Sequence, residues 1–149
     1  MIRQFRQQDA ASCSRLIHAS LEKDSSYSFA LREKMRRLET PQAMTERARL
    51  FYVAVYESED EILGVAGLDM NEIRLLFVSP EHRRLGIGRA LLEHIKAMVP
   101  AFLFSDIFVY SSLQAAEFYR TCGFAESGPF PFDVGGEQLQ TIFMTCPTS

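Results

Sequence analysis

The chain has little of what several function classes require. Its 16 lysines and arginines are outnumbered by 19 aspartates and glutamates, for a net charge of −3. A nucleic-acid binder normally carries a basic excess, so that class is disfavoured. The one local basic cluster, Arg32, Lys34, Arg36 and Arg37, fits the solvated face of a helix. Only three cysteines occur, Cys13, Cys122 and Cys146, and none stands in C-x-x-C spacing. They offer neither a disulfide framework nor a zinc site, which agrees with a reducing cytoplasm. No apolar run approaches the roughly 20 residues needed to cross a bilayer. The N-terminus lacks the apolar core of a secretory signal. The expectation is a cytoplasmic protein with no membrane, nucleic-acid or metal partner. No repeat, low-complexity tract or linker divides the 149 residues, so a single domain over 1–149 is expected.

What is present is a clear alternation of periods. Residues 2–6 alternate as a short edge strand, and Asp9 is placed to cap a helix with Cys13, Leu16, Ile17 and Leu21 on one face. Phe29, Leu31, Met35 and Leu38 suggest a second helix that Pro41 ends or restarts, with room for a short helical piece after it. The pattern then turns to strands at 51–56, 61–70 and 72–78. A helix over 86–99 comes next, with Ile87, Leu91, Leu92, Ile95 and Met98 or Val99 on one face and Pro100 closing it. A strand at 103–110 leads to a helix that Ser112 caps and Gly123 ends. Two last strands, 124–127 and 138–145, are joined by a loop over 128–137. The fold class is α/β (α+β): a mixed sheet of six to seven strands flanked by about four helices, in the order β-α-α-β-β-β-α-β-α-β-β.

The most informative segment is Val78-Ser79-Pro80-Glu81-His82-Arg83-Arg84-Leu85-Gly86-Ile87-Gly88-Arg89. A strand end runs through a proline and a basic, glycine-bearing loop into a helix. Such a loop presents consecutive backbone N–H groups at the positive end of a helix dipole, which suits a phosphate or pyrophosphate. Two nucleotide motifs fail on spacing. A dinucleotide fingerprint needs a third glycine where Leu91 stands, and a Walker loop needs a Lys-Ser or Lys-Thr pair that comes after neither glycine.

The pattern that remains, Arg83-x-x-Gly86-x-Gly88 after Val78-Ser79-Pro80, resembles the acyl-CoA pyrophosphate loop of the GNAT superfamily of N-acetyltransferases. Two further stretches resemble the same family: Glu72–Val78 ahead of the loop, and the segment Ser111–Phe124 with its A-x-x-F-Y-x-x-x-G-F element. The element order agrees too, so the resemblance spans Ile2 to Met144. The pair Ser111-Ser112 followed by Ala115 and Phe118-Tyr119 is similar to small bacterial, single-domain members with poorly defined acceptors.

The resemblance implies acetyl transfer from acetyl-CoA to a primary amine of a small molecule or peptide, by direct attack and without a metal. It implies that the backbone amides of Arg84, Leu85, Gly86, Ile87, Gly88 and Arg89 hold the pyrophosphate, with the Arg83, Arg84 and Arg89 side chains adding charge. The backbone of Phe77 and Val78 would pair with pantetheine, and the Val78 N–H would donate to the thioester oxygen. Tyr119 would protonate the leaving thiolate and Glu72 would act as base, with Asp69 a competitor. Many relatives have Asn where Ser112 stands; Ser112 would take over that contact to CoA. His82, His18 and His94 fit loop or packing positions, and Cys122 fits a buried helix end. Acceptor choice should come from residues 22–40 and 128–137, where Tyr27, Phe29, Phe130 and Phe132 could wall a pocket with Asp133 or Glu137. The same aromatics could instead cover the sheet or form a homodimer contact. The rival class is a non-catalytic acyl-CoA-binding sensor, which would keep the loop and need neither Tyr119 nor Glu72.

Overall fold

The computed structural model describes residues 1–148. Seven strands form one sheet: β1 (Ile2–Gln4), β2 (Tyr52–Ser58), β3 (Glu61–Asp69), β4 (Glu72–Val78), β5 (Asp106–Ser112), β6 (Ala125–Val134) and β7 (Glu137–Pro147). Their spatial order is β1-β2-β3-β4-β5-β7-β6. Only β4 and β5 run parallel, and they pair over just two positions, Glu72 with Phe108 and Ile73 with Val109. Beyond those the two strands part. Five helices flank the sheet: α1 (Ala10–Lys23), α2 (Phe29–Leu38), α3 (Pro41–Leu50), α4 (Ile87–Lys96) and α5 (Ala116–Thr121). None of the described helices is long and apolar enough to cross a membrane.

The period-2 pattern of the strands divides the core between two faces. Val53, Val55, Val65 and Leu75 pack against Cys13, Ile17 and Leu21 of α1 and Met44 of α3. Ala54, Ala66, Ile73, Ile107 and Val109 face the other way, against Leu91, Leu92 and Ile95 of α4 and Tyr119 of α5. The expected helix over 86–99 ends at Lys96; in the turn after α4, Val99 is buried and Met98 is left outside. Close approach of α4 to β3 depends on Gly64, where a Cβ would lie 2.8 Å from Leu91 Cδ1.

Four further expectations change. The described residues hold five helices, because Pro41 restarts the chain: it occupies the first turn of α3, where its missing N–H costs nothing, and the Thr40 hydroxyl accepts the Ala43 N–H as a cap. The fifth strand begins at Asp106 and not at residue 103, since Leu103 and Phe104 both donate to the Pro100 carbonyl in a tight turn. The expected loop 128–137 is mostly strand. Pro129 and Pro131 suggest a loop, but β6 is the sheet edge and tolerates residues without an N–H. The turn is only Gly135-Gly136, with φ of 55° and 90°, the left-handed pair that a two-residue hairpin requires. Finally, the Asp9 side chain does not cap α1; it accepts the Arg6 N–H and a two-pronged contact from Arg3 at 2.8 and 2.9 Å.

Arg3 also bonds Glu57, tying the first residues to β2. The guanidinium beside Asp9 holds that carboxyl below its ordinary range. A depressed folded-state pKa means stability that is fully present above the unfolded value and lost as pH falls through the folded one. Asp9→Ala should therefore cost about 2 kcal/mol at neutral pH, the scale of charge-assisted hydrogen bonds. The difference from wild type should close in acid below about pH 4. Urea unfolding at pH 7 and pH 3 measures both; an equal gap at the two values overturns the assignment.

Candidate active site at the parting of two strands

A cleft of about 690 Å³ opens where β4 and β5 diverge. Its floor is the free edge of β4. Just past the end of that strand, Ser79 N–H donates to the Leu63 carbonyl of β3 at 2.8 Å. Counting back from this bond, the alternation of an antiparallel pair fixes which way each residue of β4 turns its backbone. Phe77 turns its own toward Val65, while Leu76 and Val78 turn theirs into the gap. The Val78 carbonyl there accepts the Ser20 hydroxyl at 3.0 Å, and its N–H faces the same opening. Phe77 borders the cleft but directs its backbone elsewhere, so the exposed groups belong to Leu76 and Val78.

The roof is the start of α4. Gly86 caps this helix at φ 82°, and Arg84 also takes a left-handed conformation at φ 67°. Ala90 is the first residue to bond back, to Gly86, so the amides of Ile87, Gly88 and Arg89 are left for a ligand. The two glycines do different things. A Cβ at Gly86 would meet nothing but would be strained by the positive φ, whereas at Gly88 it would stand 3.4 Å from Phe118 and 3.5 Å from Val78, inside the cradle. Arg83, Arg84 and Arg89 surround this mouth with positive charge, and His82 lines it beside them. The Leu85 side chain points away and is 69% exposed.

Tyr119 reaches the cleft from the opposite side. The sequence F-Y-x-x-x-G-F has a local physical cause. At the end of α5, Gly123 takes φ 96° and donates to Arg120, and Phe124 N–H donates to the Tyr119 carbonyl. This is the two-bond helix stop that glycine permits, with its usual apolar clasp. Phe124 lies 5.3 Å from the Tyr119 ring and Phe118 lies 5.2 Å from it. The phenol is thereby fixed and buried, and burial, with Cys122 and Tyr27 adding to it, raises its pKa well above the ordinary value. It stays protonated at any neutral pH.

A second recess of about 120 Å³ adjoins the cleft and shares Tyr27, Leu76, Phe77, Ser112 and Tyr119 with it. The two openings thus meet beside the Tyr119 ring. Tyr27, between α1 and α2, is pushed up to about 12 by burial and Asp24. Ser112 is the last residue of β5 and its hydroxyl accepts Ala115 N–H at 3.2 Å, so it caps the turn ahead of α5. Glu72 does not line the cleft. It sits at the far end of β4, half-buried, 3.7 Å from Arg74, and burial raises its carboxyl above the ordinary range. Asp69 shares Arg74 at 3.3 Å. His18 bonds the Glu39 carbonyl and His94 bonds Tyr52, which removes both from the site. Ser20 and Gln114 line the cleft and are not among the expected residues; Asp24, which lines it too, lies in the expected stretch 22–40 but is not singled out there. Ser20 and Asp24 come from the end of α1, which the fold alone brings there; no local motif marks them. Among the described residues no group of three or more His, Cys, Asp or Glu could hold a metal ion.

A family model described as the acetyltransferase (GNAT) domain matches residues 16–137, the stretch that builds this cleft. The chain belongs to the GNAT family. It is 31% identical over 102 residues to human N-acetyltransferase 8, a match over 60% of this chain and 44% of that protein. The chain therefore spans under half the length of that curated relative. Among solved structures, a GCN5-related N-acetyltransferase from Rhodopseudomonas palustris superposes with a TM-score of 0.91 at 22% identity, covering 99% of this chain and 94% of that one. The PaiA N-acetyltransferase of Thermoplasma acidophilum, solved with coenzyme A, superposes at 0.80 with 16% identity, covering 99% and 98%. At these identities the structural likeness establishes the GNAT fold.

Proposed function

We propose that the chain is an acetyl-CoA-dependent N-acetyltransferase that moves the acetyl group to a primary amine in a ternary complex. The observation that carries this reading is the meeting of two openings at Tyr119, one of them roofed by the free amides of α4. Acetyl-CoA fits the larger opening by its chemistry. Its pyrophosphate suits the amides of Ile87, Gly88 and Arg89 and the charges of Arg83 and Arg84. Its pantetheine arm is an amide chain that can pair with the open edge of β4 through Leu76 and Val78, as an added strand would. The CoA complex of the Thermoplasma relative supports the same ligand class.

In this arrangement the amine enters from the smaller recess and its nitrogen attacks the thioester carbonyl. The C–N bond forms, the carbonyl oxygen takes the negative charge, and the Val78 N–H stabilises it. The C–S bond then breaks, Tyr119 supplies the proton to the sulfur and regains one from solvent, and the proton lost by the amine passes to water or, through water, to Glu72 and on to solvent. Holding the two reactants together supplies much of the rate, since effective molarities reach roughly 10⁵ M or more.

Acetyl-CoA at about a hundred times its Kd should add about 2.7 kcal/mol of stability, a rise in Tm of roughly 5–10 °C for a chain of this size. An unchanged melting curve at millimolar acetyl-CoA sinks the binding claim. Release of free CoA with a panel of amines tests the chemistry. Binding without release from any amine would replace the enzyme by a non-catalytic acyl-CoA sensor.

Glu72 is tested separately. A base whose pKa is raised by burial must lose its proton to work, so the rate should rise with pH through a limb above the ordinary glutamate value of about 4.3. Glu72→Gln should lower kcat and flatten that limb. An unaltered pH–rate profile removes Glu72 and leaves water or Asp69.

A further inference from the structure

Five aromatic side chains crowd one face of the C-terminal half-sheet, and nothing in acetyl transfer itself requires them. The ring of Tyr110 on β5 lies 4.9 Å from Phe130, 5.1 Å from Phe132 and 5.2 Å from Phe143, and Phe108 stands 5.6 Å from Phe143. Register explains the gathering. Tyr110 pairs with Phe143, and Phe130 and Phe132 pair with Thr141 and Leu139, so all point to one side of the sheet. On this side α1 packs over β3 and β4, and α2 reaches β6 and β7. Lys34 of α2 donates to the Gly135 carbonyl at the hairpin tip and so bridges over the half-sheet. The rings beneath remain half-buried, and Phe130 is 44% exposed.

This patch is continuous with the candidate site and carries a charge at its edge. Tyr110 lines the small recess that reaches Tyr119. Glu72 is the in-register neighbour of Phe108, as Ile73 is of Val109, and paired residues share a face. Ile73 and Val109 both lie in the α4 core, so Glu72 and Phe108 both lie on the aromatic side. A carboxylate beside ring faces attracts an ammonium group, and the rings accept an apolar body behind it. Arg74, which lines the recess, already has Asp69 and Glu72 as partners, and Lys34 is held by the Gly135 carbonyl, so the patch offers little to an acceptor carboxylate.

From this juxtaposition, and resting on the acetyl-transfer reading, we infer that the acceptor is a primary amine bearing an aryl group a few bonds from its nitrogen. Tyr110 and Phe130 determine that specificity. Amino acids and polyhydroxylated amines are poor acceptors by the same argument.

The test uses the full chain saturated with CoA and two probe amines, 2-phenylethylamine and ethanolamine. Calorimetry should find the aryl amine bound at least about tenfold more tightly, the least that burying a phenyl ring confers. Phe130→Ser, on the edge strand, should remove most of that preference and leave acetyl-CoA affinity unchanged; Tyr110→Leu is the second variant. Equal affinity for the two amines overturns the inference, as does full preference retained in both variants. Turnover separates this result from the underlying reading. Aryl preference in binding with no CoA release from either amine overturns acetyl transfer and leaves the aromatic subsite standing. Equal turnover of both amines leaves acetyl transfer standing and overturns the aryl specificity.

Discussion

Tyr119→Phe should lower kcat by about a hundredfold or more, the usual scale of a positioned general acid, and should change acetyl-CoA affinity little. The substitution is clean because the ring is held by contacts that do not involve its hydroxyl. Phe118 and Phe124 clasp it from two sides, and the helix stop at Gly123 sets its backbone. Among the described residues nothing hydrogen-bonds the phenol oxygen, so its removal orphans no partner and stability should hold. Burial keeps the proton on at neutral pH, which is the donating form. It also means that deprotonation of Tyr119 puts no alkaline limb on the rate profile in the range where the protein can be assayed. Steady-state kinetics give kcat, and calorimetry with acetyl-CoA gives the affinity. Unchanged turnover removes the acid role, and loss of acetyl-CoA binding would make Tyr119 a structural residue of the cleft.

The contrast between Tyr119 and Glu72 shows what one-dimensional information can hold. Tyr119 is legible because everything that positions it lies within six residues: Phe118 before it, then a glycine for the left-handed stop and Phe124 to close the clasp. The α4 cradle is legible for the same reason, since Gly86 and the apolar stripe after it are one local unit. The parting of β4 from β5 is different. It arises from an irregularity in the β3–β4 pairing near Arg74 and from parallel pairing that stops after Ile73. Neither has a local signature. Glu72 can be placed on its strand, but its position beside Phe108 depends on a register between segments some 35 residues apart. Ser20 is invisible for the same reason. The hairpin misleads on chemistry that is present: Gly135-Gly136 is a two-residue turn signal, but Pro129 and Pro131 outweigh it unless β6 is known to be an edge.

Leu91→Ala should have the largest effect on stability, about 3 kcal/mol, because this side chain is fully buried where α4 meets β3. Its neighbour Gly64 permits a sharper test. In the wild type a Cβ at Gly64 would lie 2.8 Å from Leu91 Cδ1, 3.0 Å from Ile87 Cγ2 and 3.3 Å from the Phe77 carbonyl, so Gly64→Ala alone is overpacked. With Leu91 truncated, the closest of these contacts disappears and the new methyl enters the space it vacated. The double variant Gly64→Ala/Leu91→Ala should therefore be more stable than the sum of the single losses by about 1 kcal/mol, a coupling typical of residues in contact. Full recovery is not expected, since Ile87 and the Phe77 backbone still crowd the site. Urea unfolding of the four proteins measures the coupling, and strict additivity would refute the packing described. The same helix carries the free amides of Ile87, Gly88 and Arg89, so the loss is linked to the ligand. Acetyl-CoA bound only by the folded chain restores about 2.7 kcal/mol at a hundred times its Kd. If it raises the melting temperature of Leu91→Ala as much as that of wild type, the cradle survives the cavity. A much smaller rise would mean that the core beneath α4 sets the geometry of the loop above it.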